Sequence, residues 1–265
     1  MNPARPNESP KAIDLPILLY HHLVDGTEAA ANQYEISLRQ FEEQLDILRR
    51  SKFETIDFRT LIAMMDGREK PRTRVAIITF DDAFRSFYEL AIPALQQRGM
   101  RATVFVPAGE IGGSDRWNGE KGTVPRELMT EDQLREAAAE GMEIGSHGWA
   151  HRSLPECSEA EAREEVCRSI EHLAGLGLRP EVFAYPYGRY SPENIAMVRS
   201  AGYSAAVSIF SDAPTVTANR FAMRRIYIHP GDSRWRFRCK LSRTYLRYKA
   251  VRGIPNETPP APSEP

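Results

Sequence analysis

No run in this chain approaches the ~18 consecutive apolar residues that a membrane-spanning helix needs, which argues against an integral helical membrane protein. Cysteine is scarce. The three present, Cys157, Cys167 and Cys239, are odd in number and lack paired spacing, so they form neither a disulfide framework nor a structural zinc ribbon. The opening residues, MNPARPNESPKAIDLP, are polar and rich in proline and lack the apolar core of a secretory signal. Together these absences point to a reducing compartment, so the expected location is cytoplasmic, with the inner face of the membrane as a peripheral address. A formal net charge of -1 offers nothing for a nucleic-acid backbone.

The hydrophobic fraction of 42% and charged fraction of 27% are those of an ordinary globular chain, long enough to bury one good core. A polar amphipathic stretch, a glycine and a short β-branched run recur in that order. They do so at 86–98 with Gly99, 130–140 with Gly141, 158–176 with Gly177, and 191–201 with Gly202. That order reads as helix, C-cap and strand. Thr130 with Gln133, Ser158 with Glu161 and Ser37 with Gln40 have capping-box spacing, and Ser191-Pro192 places proline at a first helical position. Adding the apolar runs at 16–20, 54–56, 75–79 and 225–228 predicts an α/β fold, an irregular (β/α) barrel of about seven or eight parallel strands. Residues 1–14 read as a flexible lead, 15–230 as the barrel, 231–253 as a basic amphipathic segment and 254–265 as a disordered tail. The Gly-rich stretch 107–127 is either a functional loop or locally disordered.

Polar residues that can do chemistry follow several of these strands: His21, Asp81, Asp82, His147 and Tyr187. A parallel barrel collects such positions on one rim. Of two adjacent carboxylates, one can bind a cation while the other takes a proton from water. His147 and His151, four residues apart, can present two imidazole nitrogens to the same ion, and two histidines with one carboxylate leave positions open for water and substrate. Either pattern alone is more often a helix cap or a chance spacing; the two together at strand ends of one barrel carry more weight.

In order and spacing, TFDDA (79–83), SHGWAH (146–151) and AYPYG (184–188) resemble the first three motifs of the polysaccharide deacetylase family, carbohydrate esterase family four, over most of 15–240. The resemblance implies Asp81 as general base and Asp82, His147 and His151 as ligands of a divalent metal, usually zinc. It also implies that the backbone N–H of Tyr187 helps hold an oxyanion. Two positions depart from the pattern. The third motif normally begins with an arginine that orients the base, but here Ala184 stands there; Arg225 is the candidate replacement, with a surface arginine as the plain alternative. The family's terminal Leu-x-x-His has no good copy near the C-terminus, whereas Leu18-Leu19-Tyr20-His21 resembles it at the other end. First and last strands of a closed barrel are neighbours, so His21 becomes the candidate general acid. This arrangement resembles the circularly permuted subgroup that includes bacterial poly-N-acetylglucosamine deacetylases.

His22, facing the opposite way if the strand continues, and His229 compete with His21 for the acid role, while His172 reads as a helix residue. Trp149, Tyr187 and Arg225 are candidate substrate contacts. The implied activity is metal-dependent removal of N-acetyl groups from an amino-sugar polymer or glycan precursor, free or lipid-linked. An O-acetyl ester or non-sugar amide substrate, or a catalytically impaired carbohydrate-binding relative, are the alternatives. Residues 234–252 hold eight Lys or Arg and no Asp or Glu, with Phe237, Leu241, Tyr245 and Tyr248 at helical spacing. Such a segment either lies on an anionic membrane surface or packs its aromatic stripe on the barrel.

Overall fold

The computed structural model describes residues 13–26, 33–118, 125–210 and 218–252. The chain lead before residue 13 and the tail after 252 lie outside the described residues. β1 (Ile17–Tyr20) leads through His21 into β2 (His22–Val24), which pairs with β3 (Glu35–Ser37) ahead of α1 (Leu38–Arg50). Then come β4 (Glu54–Thr55), α2 (Phe58–Met65), β5 (Val75–Phe80), a π-helical turn (Phe87–Ala91), α3 (Ile92–Gln96) and β6 (Thr103–Val106). The second half runs α4 (Glu131–Ala139), β7 (Glu143–Ser146), α5 (Glu159–Gly175), β8 (Val182–Ala184), α6 (Pro192–Ser200) and β9 (Ala205–Ser208). It ends with β10 (Met223–Arg224), β11 (Ile226–Tyr227), α7 (Arg234–Lys240) and α8 (Arg243–Arg252).

Every ladder is parallel, and the strands follow one another as β10-β9-β8-β7-β6-β5-β1-β11, with β4 alongside β5. β10 and β11 are two halves of one stretch divided at Arg225. β10 pairs with β9 and β11 with β1, so this divided strand brings the two ends of the sheet together. The fold is therefore the expected nearly closed (β/α) barrel of eight parallel strands. Strands of a parallel sheet covered on both faces read as continuous apolar runs. Ile17, Leu18, Ile77, Ile78, Val104, Phe105 and Val207 are accordingly fully buried, and removing each such side chain from water contributes about 1.5–3 kcal/mol.

Helix starts are fixed locally. Full capping boxes form at Thr130, Ser158 and Ser191, the last with proline at the first helical position. At Ser37 only half of the box forms: its side chain accepts from Gln40 N, while the Gln40 amide donates to the His229 carbonyl. The helix expected over 86–98 is a π-helical turn followed by short α3, because Pro93 has no N–H to return to the preceding turn.

The basic C-terminal segment breaks into two helices at Leu241 and Ser242, which corrects the single continuous stripe read from the spacing. Phe237, Leu241 and Leu246 belong to the main barrel core. Of the stripe read from the spacing, Phe237, Leu241 and in part Tyr245 thus pack on the barrel, whereas Tyr248 stays exposed. Lys240, buried among them, donates to Asp232 and to the Tyr227 carbonyl.

Candidate active site

Parallel strand alignment builds the site. Asp81 N–H donates to the Tyr20 carbonyl, so the residues that follow β1 and β5, His21 and the Asp81-Asp82 pair, emerge side by side. His147 follows β7, and its N–H is held by the Val106 carbonyl. Tyr187 lies in the turn after β8. All of these residues line one cavity of about 90 Å³ at the C-terminal rim of the barrel.

Asp82, His147 and His151 are buried, and each contributes one donor atom to a group in which all three lie within 4.8 Å of one another. Asp82 Oδ1 is 3.6 Å from His147 Nε2 and 3.2 Å from His151 Nε2. Bonds of about 2.0–2.2 Å at tetrahedral angles would place ligand atoms roughly 3.3 Å apart, so the spacing fits a small divalent ion. His147 Nδ1 lies 2.8 Å from the Ala184 carbonyl, which can only accept; the ring therefore carries its hydrogen on Nδ1 and turns the Nε2 lone pair toward the carboxylates. Burial lowers the His147 pKa to about 4, leaving the imidazole neutral at physiological pH. Asp82 Oδ1 is buried with no hydrogen-bond partner, as suits an oxygen meant for a cation.

Asp81 is held differently. Arg225, fully buried, donates from Nη1 to Oδ1 at 2.5 Å and from Nη2 to Oδ2 at 2.7 Å. Burial alone would raise the carboxyl pKa, but the guanidinium, helped by His147, holds it below the ordinary range. Asp82 is likewise held below its usual value, the contact with His151 outweighing burial. The structure thus has two adjacent carboxylates that share His147, whose Nε2 is 3.6 Å from an oxygen of each, and that differ otherwise: Asp82 meets His151, and Asp81 is gripped by a fork of N–H donors. Arg225 is enclosed beneath Asp81 and is not part of the cavity wall, so its expected role as a substrate contact is corrected to that of a positioning residue.

A buried carboxylate on α5 shapes the loop that carries the two histidines. Glu165 accepts from the N–H groups of Trp149 (2.9 Å) and Ala150 (2.9 and 3.1 Å), and from that of Arg152 at the limit of 3.5 Å. Gly148, at φ +82°, leaves room for it; a Cβ there would come within 2.8 Å of Glu165 Oε2. The backbone is left-handed at Asp82 (φ 69°), Ala83 (52°), His151 (57°) and Tyr187 (57°), a region that residues with a Cβ seldom occupy.

Tied down in this way, Trp149 points away from the cavity. The Arg168 guanidinium sits 3.9 Å from the centre of its ring, the His172 edge meets it, and Gly109 passes beneath, so Trp149 is packing and not a sugar platform. Tyr187 does line the cavity, its ring against His151 and its phenol pushed up to about 12 by burial. The sequence reading missed Tyr34, Phe84, Trp117, Phe210 and Tyr227, which make most of the aromatic wall, and Arg126 at its edge. Trp117 stacks on His151 at 4.6 Å and belongs to the Gly-rich 107–127 stretch, the one signal that pointed toward it.

His21 lines the cavity between Tyr34 and Tyr227, its pKa lowered by burial against the opposing pull of Asp82 and Asp81. His22 does not turn away as alternation would require. The chain leaves the barrel after Tyr20 and pairs with β3 instead, which resets the facing, and His22 lines the cavity too. His229 is not among the cavity residues; its N–H donates to Asp232.

A rim of paired carboxylates and histidines on a parallel barrel defines a hydrolase-type site, and the chain belongs to the polysaccharide deacetylase family, whose model matches residues 68–206. Members of that family use a divalent metal. The chain is 27% identical over 224 residues to YxkH of Bacillus subtilis (strain 168), assigned by name to the polysaccharide deacetylases, covering 84% of this chain and 74% of that one. It is 24% identical over 205 residues to the poly-beta-1,6-N-acetyl-D-glucosamine N-deacetylase of Staphylococcus aureus (strain MRSA252), covering 74% and 68%. In structure it resembles the Streptococcus pyogenes deacetylase PplD, solved in complex with acetate, with a TM-score of 0.74 at 23% identity over 88% of this chain and 100% of that one.

Proposed function

We propose that this chain is a metal-dependent hydrolase that removes N-acetyl groups from an amino-sugar polymer or glycan precursor. The observation that carries the proposal is the pairing of Arg225-gripped Asp81 with the Asp82, His147 and His151 group in one cavity. Asp82, His147 and His151 would hold the ion, with zinc the first candidate for a site of this donor set. When bound, such an ion lowers the pKa of water and draws charge from an acetyl carbonyl.

The chain's own groups do the rest. Asp81, ionised and fixed in orientation by Arg225, takes the proton of the attacking water. The Tyr187 N–H donates to the oxyanion as the carbonyl carbon becomes tetrahedral. His21, across the cavity from the ligand histidines, gives a proton to the departing nitrogen, so that acetate and a free amine result. Trp117, Tyr187 and the other aromatic walls exclude water and supply faces for a sugar ring. The relatedness to a poly-N-acetylglucosamine N-deacetylase supports this substrate class.

The test is acetate release from N-acetylglucosamine oligomers by metal-stripped protein, with and without restored zinc or cobalt. Metal-dependent release that Asp81→Asn abolishes is expected. Release from O-acetyl esters alone would transfer the same residues to an esterase, and failure to bind metal would overturn the reading.

A further inference from the structure

His22 opens β2, and the mechanism above gives it no task, yet it shares the cavity with the metal group. Its ring stands edge-on to Phe84 at 5.2 Å. Its Nδ1 lies 2.9 Å from the Ser86 hydroxyl, and that hydroxyl already accepts the Leu23 N–H at 3.1 Å. Ser86 is buried, so its single hydroxyl hydrogen needs an acceptor. Of the two groups bonded to it, Leu23 N–H is itself a donor, and His22 Nδ1 is left to receive the hydrogen. An imidazole that accepts at Nδ1 and is neutral carries its own hydrogen on Nε2.

We propose that Ser86 locks His22 as the Nε2–H tautomer, making it a specificity-determining donor to a hydroxyl or ring oxygen of the bound saccharide. This deepens the proposed function and rests on it for the nature of the ligand. The opposite tautomer would aim two N–H donors at one buried hydroxyl and leave the hydroxyl hydrogen unpaired. Burial, with Arg126 nearby, lowers the His22 pKa to about 4 against the pull of Glu35 and Asp115, so the ring stays uncharged at neutral pH. A neutral imidazole of that kind gives up its proton poorly and donates a hydrogen bond well. It is suited to binding. Arg126, paired with Glu35 and Asp115, stands on the same cavity wall, so that wall presents donors to a ligand rich in oxygen acceptors.

Two measurements on the full chain test this. In long-range proton–nitrogen spectra of histidine-labelled protein at pH 7, the His22 signals, assigned by their loss in His22→Gln, should show the Nε2–H pattern. Ser86→Ala should allow the Nδ1–H form to mix in. An Nδ1–H or doubly protonated His22 in the wild type overturns the proposal. In the second, affinity for an N-acetylglucosamine tetramer is titrated calorimetrically. His22→Phe should weaken it about tenfold, the worth of roughly one hydrogen bond, and His22→Gln, with an amide near the Nε2 position, should recover most of the loss. In turnover the loss should fall on KM more than on kcat. No tetramer binding by the wild type, or equal binding by His22→Phe, overturns the proposal. Binding without acetate release would instead count against the proposed deacetylation and leave the His22 contact standing.

Discussion

Arg225 and Asp81, 144 residues apart, meet through two parallel hydrogen bonds of 2.5 and 2.7 Å inside the closing seam of the barrel. Arg225→Ala would strand a buried carboxylate, and removing one partner of such a pair costs about 3–5 kcal/mol. Arg225→Lys keeps a charge but loses the planar fork, so Asp81 can swing out of line, and small misplacements of that kind cost about 10²-fold in rate. Urea unfolding and acetate release on the two variants check this. A fully active Arg225→Lys enzyme would show that the fork does not orient the base.

Restoring zinc to stripped protein should raise the unfolding temperature, because a ligand at 100 times its Kd adds about 2.7 kcal/mol to stability. Asp82→Ala and His147→Ala should abolish that rise. A rise that survives in both variants would place the ion elsewhere in the chain.

Glu165 is not among the cavity residues, yet it accepts the N–H groups that set the turn between His147 and His151. Glu165→Gln turns an N–H₂ toward other donors, and Gly148→Ala drives a methyl group onto the carboxylate. Supporting contacts of this kind are worth about 10–100-fold in metal affinity, and both variants should lose that much in a competitive zinc titration. Unchanged affinity in Glu165→Gln would reduce Glu165 to ordinary packing.

His22 also fixes a pH dependence. Its pKa is about 4 in the folded chain and that of a free imidazole, about 6.5, in the unfolded one. Between these values the unfolded state binds a proton that the folded state refuses. Stability is therefore full above pH 6.5 and falls as pH drops toward 4, by about 3 kcal/mol at most for this one group. His147, with the same lowered value, acts in the same direction. Denaturant midpoints of stripped protein from pH 7 to 4 should fall less steeply for His22→Gln than for the wild type, and parallel slopes would sink the assignment.

The barrel was legible because parallel strands announce themselves as short β-branched runs after glycine caps, and the grouping of Asp82, His147 and His151 because Asp82 and His147 follow those runs. Arg225, just before a late strand, was also legible as a partner for Asp81 in place of the arginine missing at Ala184. What sequence could not show was facing within irregular backbone. Trp149 lies between two ligands in the motif, but a left-handed turn tied to Glu165 sends it outward. His22 was placed by an alternation that ends when the chain leaves the barrel. Tyr34, Trp117 and Phe210 reach the cavity from loops without periodicity, and apart from the Gly-rich stretch around Trp117 nothing local marks them.

The left-handed backbone at Asp82, His151 and Tyr187 has a consequence for how the site is loaded. Its side chains are aimed by main-chain torsions and by Glu165, contacts that the chain supplies by itself. Stripping and reloading should leave the rim nearly unmoved, and exchange of one ion for another becomes a matter of competition among those within reach. With an ion held there as proposed, the supply of metal in the cell, more than the shape of the fold, would decide which ion the protein carries.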